Sequence, residues 1–74
     1  MARALHLLKG EDPALALATI AAQLRDHDTV TVVLLHGAPA PALPAGVAVR
    51  RLSADLTHGQ LLELIFASDR VIAW

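Results

Sequence analysis

The sequence predicts a small α/β domain of three layers, built on a mainly parallel four-stranded sheet with flanking helices. Short apolar runs typical of strands alternate with two segments that carry helix-start signals, in the order β-α-β-β-α-β. The run at residues 29–37 is apolar over most of its length, which is typical of a parallel strand covered on both faces. We therefore expect one domain over residues 1–74.

The first half of the chain predicts a strand, a helix and a central strand. Residues 4–8 form an apolar run that ends at a lysine and a glycine, as expected of a strand that enters a turn. Asp12 is a preferred N-cap residue and Pro13 suits the first helical position, so a helix is expected from Pro13 to about Arg25. The segment 29–37 begins with alternating β-branched residues and is the predicted central strand.

The predicted helix is apolar over most of its circumference. Its polar residues Thr19, Gln23 and Asp26 are spaced four and three apart and form one narrow polar stripe. Such a helix has more apolar surface than one sheet covers, which favours contact with another subunit. The residues expected to serve an interface or a structural role are Leu17, Ile20 and Leu24. The alternative is that its alanines are exposed simply as good helix formers, at positions 14, 16, 18, 21 and 22.

A third strand is predicted at residues 47–55, after a connection without helical pattern. Arg50 and Arg51 send one charge to each face of this strand, which fits a strand end or a less covered strand. The connection, residues 36–46, has eleven residues and three prolines. Parallel neighbours need a crossover of roughly a dozen residues. Either this connection is an extended crossover, or the two strands it joins are not adjacent.

The last third of the chain predicts a helix and a short closing strand. Thr57 and Gln60 match the capping box, so a second helix is expected to start near His58. Residues 71–74 suit a final strand that ends in Trp74. An indole has a large apolar area and one N–H that needs a partner, so we expect Trp74 to pack against the end of the sheet or across a subunit boundary.

Composition limits the classes of function. The chain has 74 residues, 55% of them hydrophobic, and no cysteine, so neither disulfides nor the commonest zinc sites can stabilise so small a domain. Association between subunits is the remaining way to stabilise the domain, and we expect a homo-oligomer. The net charge of −1 provides no basic surface for nucleic acid or anionic lipid. The sequence contains no apolar run of membrane-spanning length and no signal-peptide pattern, so a cytoplasmic location is expected.

Three segments resemble the DsrE/DsrF/DsrH family, in particular its small DsrH/TusB-like members. They are LHLLKGEDP near the start, VVLLHGAP in the middle and LLELIFASDRVIAW at the end. The resemblance implies a three-layer α/β/α subunit that forms dimers or higher oligomers. It also implies a place in sulfur relay, in which persulfide sulfur passes between cysteines. Here the helix usual after the second strand and a further strand before the last helix are missing.

The absence of cysteine changes what the resemblance implies. A persulfide carrier needs a thiolate, because the thiolate attacks and then holds the sulfane sulfur. We therefore expect a non-catalytic subunit with a structural or partner-binding role in sulfur transfer, associated with itself and with other sulfur-relay subunits. Neither Ser53 nor Ser68 lies in a nucleophile elbow. The sequence contains no recognisable catalytic constellation, and the question of enzymatic activity stays open. No cofactor and no metal is predicted.

The alternative is a small-molecule or anion-binding module. Ligands of open parallel sheets bind beyond the carboxyl ends of the strands. The candidate ligand-binding residues at that edge are Lys9, His36, Asp55, Thr57 and His58. A solvated lysine and an ordinary helix cap explain the same residues equally simply. His6 alternates with apolar neighbours and is expected to be a satisfied core or interface histidine rather than a metal ligand.

Overall fold

Four strands and two helices make up this computed structural model, which describes residues 2–10, 13–35 and 37–74. The elements are β1 (Arg3–Leu8), α1 (Ala14–Arg25), β2 (Thr29–Leu34), β3 (Ala48–Arg51), α2 (His58–Ala67) and β4 (Arg70–Ala73). The sheet has the order β3-β2-β1-β4, and all of its neighbouring strands are parallel. The predicted α/β class with a parallel four-stranded sheet is confirmed.

The connections place the helices on opposite faces of the sheet. Crossovers between parallel strands are right-handed, and the steps from β1 to β2 and from β2 to β3 run in one direction, whereas the step from β3 to β4 returns. Packing agrees with this rule. Ile20 of α1 belongs to the same buried cluster as Val32 of β2, whereas α2 faces the adjacent Thr31. The result is a layer of α1, a sheet, and a layer of α2.

The main core lies between the sheet and α1. Alternate residues of β1 and β2 point into it, since side chains of a strand alternate between its faces. Ala16 and Ile20 of α1 cover them, and Leu24 packs at the margin. The buried strand residues of this cluster are Ala4, Leu8, Val30, Val32 and Leu34.

The opposite face of the sheet is covered less completely. Leu5 and Val33 are fully buried there, but no residue of α2 is buried. Because α2 is the only described helix on this side, part of its apolar surface and part of the sheet remain open to solvent.

The connection between β2 and β3 is an extended crossover between adjacent strands. The register pairs Thr31 with Ala48 in parallel orientation, which settles the two alternatives that the sequence left open. No helix forms among the described residues of this segment. Ala38 is buried and Leu43 packs against the α1 core, so the proline-rich segment takes the place of a covering helix.

Two strands are shorter than the sequence predicts. Among the described residues of the runs 29–37 and 47–55, the strands extend over Thr29–Leu34 and Ala48–Arg51. After β2 the chain turns, with Gly37 at a φ of 70°. After β3 a turn forms in which Asp55 Oδ2 accepts the Arg51 N–H at 2.9 Å and Ser53 has a φ of 73°. Apolar residues continue past the last strand pairing in both cases, which is why periodicity alone overestimates these strands.

The helix starts are set by local chemistry. In α2 the Thr57 hydroxyl accepts the Gln60 N–H at 3.2 Å and the Gln60 side chain accepts the Thr57 N–H at 2.8 Å, so the predicted capping box is confirmed. Helix α1 begins at Ala14, with Pro13 in the cap position rather than in the first helical position. The predicted cap residue Asp12 lies outside the described residues.

The polar stripe predicted for α1 is wrong for one of its members. Gln23 is only 6% exposed and faces the sheet, whereas Asp26 is exposed and Thr19 donates a hydrogen bond to a backbone carbonyl of its own helix. Positions 16, 20 and 23 lie on one face of a helix, so Gln23 follows Ala16 into the interior. Its amide is tolerated there because His6 supplies a polar partner.

The alanines of α1 do not share one environment. Ala16 is buried, whereas Ala14 and Ala18 are exposed, so exposure as helix formers describes only part of the set. Leu15 is 74% exposed on the outer side. The exposed Leu15 shows that this helix carries more apolar surface than the sheet covers, as the sequence predicts.

Candidate functional site

The carboxyl-end edge of the sheet is where the sequence places its candidate ligand residues. The carboxyl ends of β1, β2 and β3 meet there because the three strands are parallel. Lys9 follows β1 and is exposed, and His58 is the first residue of α2 and also exposed. His36 lies outside the described residues.

Two candidates at this edge use their side chains in local structure. Asp55 closes the turn after β3 through the Arg51 N–H, and Thr57 caps α2. Among the described residues, no hydrogen bond or ion pair joins Lys9, Asp55, Thr57 and His58 to one another. The structure thus gives Asp55 and Thr57 structural roles and leaves Lys9 and His58 as separate solvent-exposed groups.

Packing occupies part of the same edge. Ala38 is 3% exposed, and its carbonyl accepts a hydrogen bond from Arg51 Nη1 at 3.3 Å. Gly10, with a φ of 97°, lies beside it, and an added Cβ would be in ordinary van der Waals contact with the Ala38 Cβ at 3.6 Å. The alanine-rich connection therefore covers the end of the core with Ala38.

A buried polar cluster lies in the α1 core, formed by His6, Gln23 and Trp74 and called here the His6 cluster. His6 is fully buried, with Nε2 at 2.6 Å from Gln23 Oε1. The Trp74 indole N–H donates to His6 Nδ1 at 2.9 Å. The planes of the two rings differ by only 8°, which suits an in-plane hydrogen bond. The Trp74 backbone N–H also donates to the Leu7 carbonyl, which fixes the residue to the end of β1.

The donors and acceptors of the His6 cluster fix its protonation pattern. An indole N–H can only donate, so His6 Nδ1 is the acceptor, and Nε2 carries the proton that Gln23 Oε1 accepts. No buried side-chain nitrogen or oxygen of the described residues lacks a hydrogen-bond partner. The predictions of a satisfied core histidine and of a Trp74 packed against the sheet are confirmed. Both His6 nitrogens are occupied, so the ring acts as a structural group in this state.

An open groove of about 400 Å³ separates α2 from β2 and β3. Its walls carry Thr31 and Arg50 from the sheet and Gln60, Glu63 and Leu64 from α2. Arg50 enters this groove whereas Arg51 bonds to the crossover on the other face, as the alternation of a strand predicts. The groove results from the incomplete cover that α2 gives the sheet.

Large apolar side chains are exposed on α2 and β4. Phe66 is 85% exposed, Leu62 55% and Val71 41%, and we call these three residues the α2–β4 surface. Sequence reasoning missed them. The available signal was the helix periodicity of α2, in which Leu61 and Ile65 already provide the sheet-facing pair and leave the next pair outside.

The α1 residues expected to serve an interface or a structural role mostly face the core. Ile20 is fully buried in the core, Leu24 packs against it, and Leu17 is half-buried. Ile20 and Leu24 thus hold the helix on the sheet. The largest group of exposed apolar side chains is found instead at the α2–β4 surface.

Comparisons with known proteins give no relative: no protein-family model, no curated protein and no solved structure matches this chain. Within the described part of the chain, no three histidine, aspartate or glutamate side chains come close enough to hold a metal ion. Neither of the two described helices has the length and apolar character needed to cross a membrane.

Proposed function

We propose that this protein is a non-catalytic, cysteine-free subunit that acts by association, with a structural or partner-binding role in a sulfur-transfer assembly. The observation that carries the associative part is the exposure of the α2–β4 surface. Monomeric domains seldom expose large neighbouring apolar side chains, and such patches mark contact sites. The sulfur-transfer context is supported by the DsrH/TusB-like resemblance of three sequence segments.

The non-catalytic part of the proposal is supported by the side chains at the carboxyl-end edge. Asp55 and Thr57 are engaged in a turn and a helix cap, and buried Ala38 closes the core beside them. The sequence has no cysteine, so a persulfide cannot be formed on it. A subunit of this kind contributes shape and contact surface, while the reactive thiol belongs to another chain.

An anion-binding module at the same edge is the alternative. It is favoured by the exposure of Lys9 near the carboxyl ends of the parallel strands, where such sheets hold ligands. It is weakened by the engagement of Thr57 and Asp55 in local hydrogen bonds. Titration with inorganic phosphate separates the two: saturable NMR shifts confined to Lys9, Thr57 and His58 support the module.

Sedimentation combined with sulfur labelling tests the main proposal. At micromolar concentration the purified protein is expected to sediment with the mass of at least two chains. Incubated with a cysteine desulfurase and labelled cysteine, it is expected to stay unlabelled while a cysteine-bearing DsrE-like control takes up label. A folded monomer at every concentration, or stable covalent label on this chain, would show the proposal to be wrong.

A further inference from the structure

The two edges of the sheet differ in how well they resist pairing with another strand. Edge strands present unpaired backbone groups, and charged side chains on an edge discourage a second chain from adding to it. The edge strand β3 carries Arg50 and Arg51. The other edge strand, β4, has arginine only at its first position and continues with Val71, Ile72 and Ala73. The β4 edge is therefore the unprotected one.

The backbone of β4 shows which of its groups point outward. The Trp74 N–H donates to the Leu7 carbonyl of β1. Successive residues of a strand direct their N–H and C=O groups to alternate sides, so those of Ile72 also face β1. The N–H and C=O groups of Val71 and Ala73 consequently lie along the open edge.

The α2–β4 surface continues this edge above the plane of the sheet. Val71 pairs with the buried Leu5 and shares its face of the sheet, yet it is 41% exposed because α2 leaves β4 uncovered. The groove places Gln60 and Leu64 on the side of α2 toward β2 and β3. At 3.6 residues per turn, Leu62 lies on the side of α2 opposite the groove, which is the β4 side, and Phe66 lies one turn further on, between that side and the solvent-facing side. Val71 and Ala73 thus lie on the face of the sheet that α2 partly covers, on the side of α2 that carries Leu62.

We propose that a second copy of this chain occupies this surface by antiparallel pairing of β4 with β4. A two-fold axis perpendicular to the sheet passes at Ile72, so that the four-stranded sheets of the two copies join into one. Val71 then lies opposite Ala73 of the second copy, and their outward N–H and C=O groups bond in both directions. This inference rests on the proposed function, because it specifies the association that the subunit undergoes.

A second copy covers the surface more completely than a single added strand does. An extended peptide would satisfy the edge of β4 but leave Phe66 in water, whereas a second copy brings its own Leu62 and Phe66 to the same face of the joined sheet. A buried aromatic side chain contributes about 150 to 250 Å², so two Phe66 side chains together with Leu62, Val71 and the strand edges give an interface near the lower limit of about 1,000 Å² for a specific one.

The same register brings a compatible pair together on the other face of the sheet. Arg70 is exposed at the start of β4, and it lies opposite Trp74 of the second copy. A guanidinium group over an indole is a favourable cation–π arrangement. The only charged side chain of β4 therefore meets an aromatic ring rather than a like charge.

Disulfide trapping tests the geometry directly, since the chain has no cysteine of its own. Residue 72 faces its own copy as a pair without mutual hydrogen bonds, with Cα atoms about 4.5 Å apart, a separation that a disulfide spans. The Ile72→Cys variant is expected to form a covalent dimer on mild oxidation. The Leu15→Cys variant, with its thiol on the outer side of α1, is the control and is expected to remain a single chain under the same conditions.

Sedimentation of two surface variants completes the test. Val71→Lys and Phe66→Ser each change an exposed side chain, and each is expected to raise the dissociation constant of the dimer at least tenfold, whereas Leu15→Ser leaves it unchanged. A wild-type dimer that neither variant weakens and that Ile72→Cys does not trap would overturn the β4 geometry while leaving the associative function standing. A wild-type protein that remains monomeric throughout would overturn both.

Discussion

His6 is the residue on which the interior of the domain depends most. It occupies a fully buried position in the central strand β1, between a glutamine of α1 and the tryptophan that follows β4. A buried polar group is costly unless it is hydrogen-bonded, and here both ring nitrogens are. The cluster therefore ties α1 and β4 to β1 by directional bonds rather than by apolar contact alone.

Removing His6 and Gln23 together is expected to destabilise the protein less than the sum of the two separate removals. Gln23→Leu leaves the His6 Nε2–H buried without an acceptor, which costs about 1 to 3 kcal/mol. His6→Leu leaves both the Gln23 amide and the Trp74 indole without their partner. In the double variant the glutamine and histidine are absent together, so its loss of stability is expected to be smaller than the sum of the single losses by about 1 kcal/mol or more. Urea denaturation of the four proteins measures these differences.

The Trp74→Phe variant provides the matched control for this cycle. It keeps an aromatic ring at the end of the sheet but lacks the N–H that His6 Nδ1 accepts. Its cost is expected to add to that of Gln23→Leu only in part, because both changes act on the same imidazole. Strict additivity of all single losses would show that the three side chains do not act as one hydrogen-bonded network.

Sequence reasoning at the residue scale succeeded for His6 and Trp74 and failed for Gln23. Strand alternation places His6 on the same face as Ala4 and Leu8, and an indole at the end of a short strand has much to gain from burial. Residue type alone places Gln23 in the polar stripe of α1. Its position relative to Ala16 and Ile20 points inward, but a buried glutamine makes sense only once the histidine across the layer is known.

At the scale of elements, the end of α1 carries local strain. His27 has a φ of 63° in the turn that ends the helix. Its N–H donates to the Leu24 carbonyl and the Asp28 N–H to the Gln23 carbonyl, which is the hydrogen-bond pattern of a Schellman motif. Glycine is the usual residue at that position because a Cβ is unfavourable in the left-handed region.

Replacing His27 by glycine is therefore expected to stabilise the protein. The His27→Gly change relieves the left-handed strain and is expected to raise the free energy of unfolding by about 0.5 to 1 kcal/mol. His27→Ala retains the Cβ while removing the imidazole, so it is expected to give no such gain. Ala18→Gly, on the exposed side of the same helix, is expected to lower stability by about 1 kcal/mol. Thermal unfolding of the three variants checks the order; equal effects of glycine and alanine at residue 27 would count against backbone strain.

How far an element can be predicted depends on how local its signals are. The start of α2 follows from Thr57 and Gln60, which satisfy one another within a single turn. The end of β2 does not, because apolar residues continue beyond Leu34 and pairing stops only where the chain turns toward β3. The α2–β4 surface was missed for a related reason, since the exposure of Phe66 depends on how far α2 extends across the sheet.

At the scale of the whole molecule, the size of the chain limits its stability as a monomer. A domain of 74 residues buries roughly 60–65% of the surface that its unfolded chain exposes, which leaves little margin over the loss of conformational entropy. One face of the sheet has a well-formed core under α1, whereas α2 contributes no fully buried residue to the other. The less completely covered face of the sheet is thus also the one that carries the α2–β4 surface.

Because the thinly covered face also carries the exposed apolar side chains, we expect folding and dimer formation to be coupled. If pairing of β4 strands covers Leu62, Phe66 and Val71, only folded chains can form the dimer. The folded state is therefore stabilised as the protein concentration increases. For a domain of this size the melting temperature is expected to rise by about 3 to 5 °C per tenfold increase in concentration. Differential scanning calorimetry over a hundredfold range measures the slope, and Phe66→Ser is expected to flatten it while leaving the low-concentration melting temperature nearly unchanged. A wild-type melting temperature independent of concentration would mean that the thinly covered face is stable without a partner.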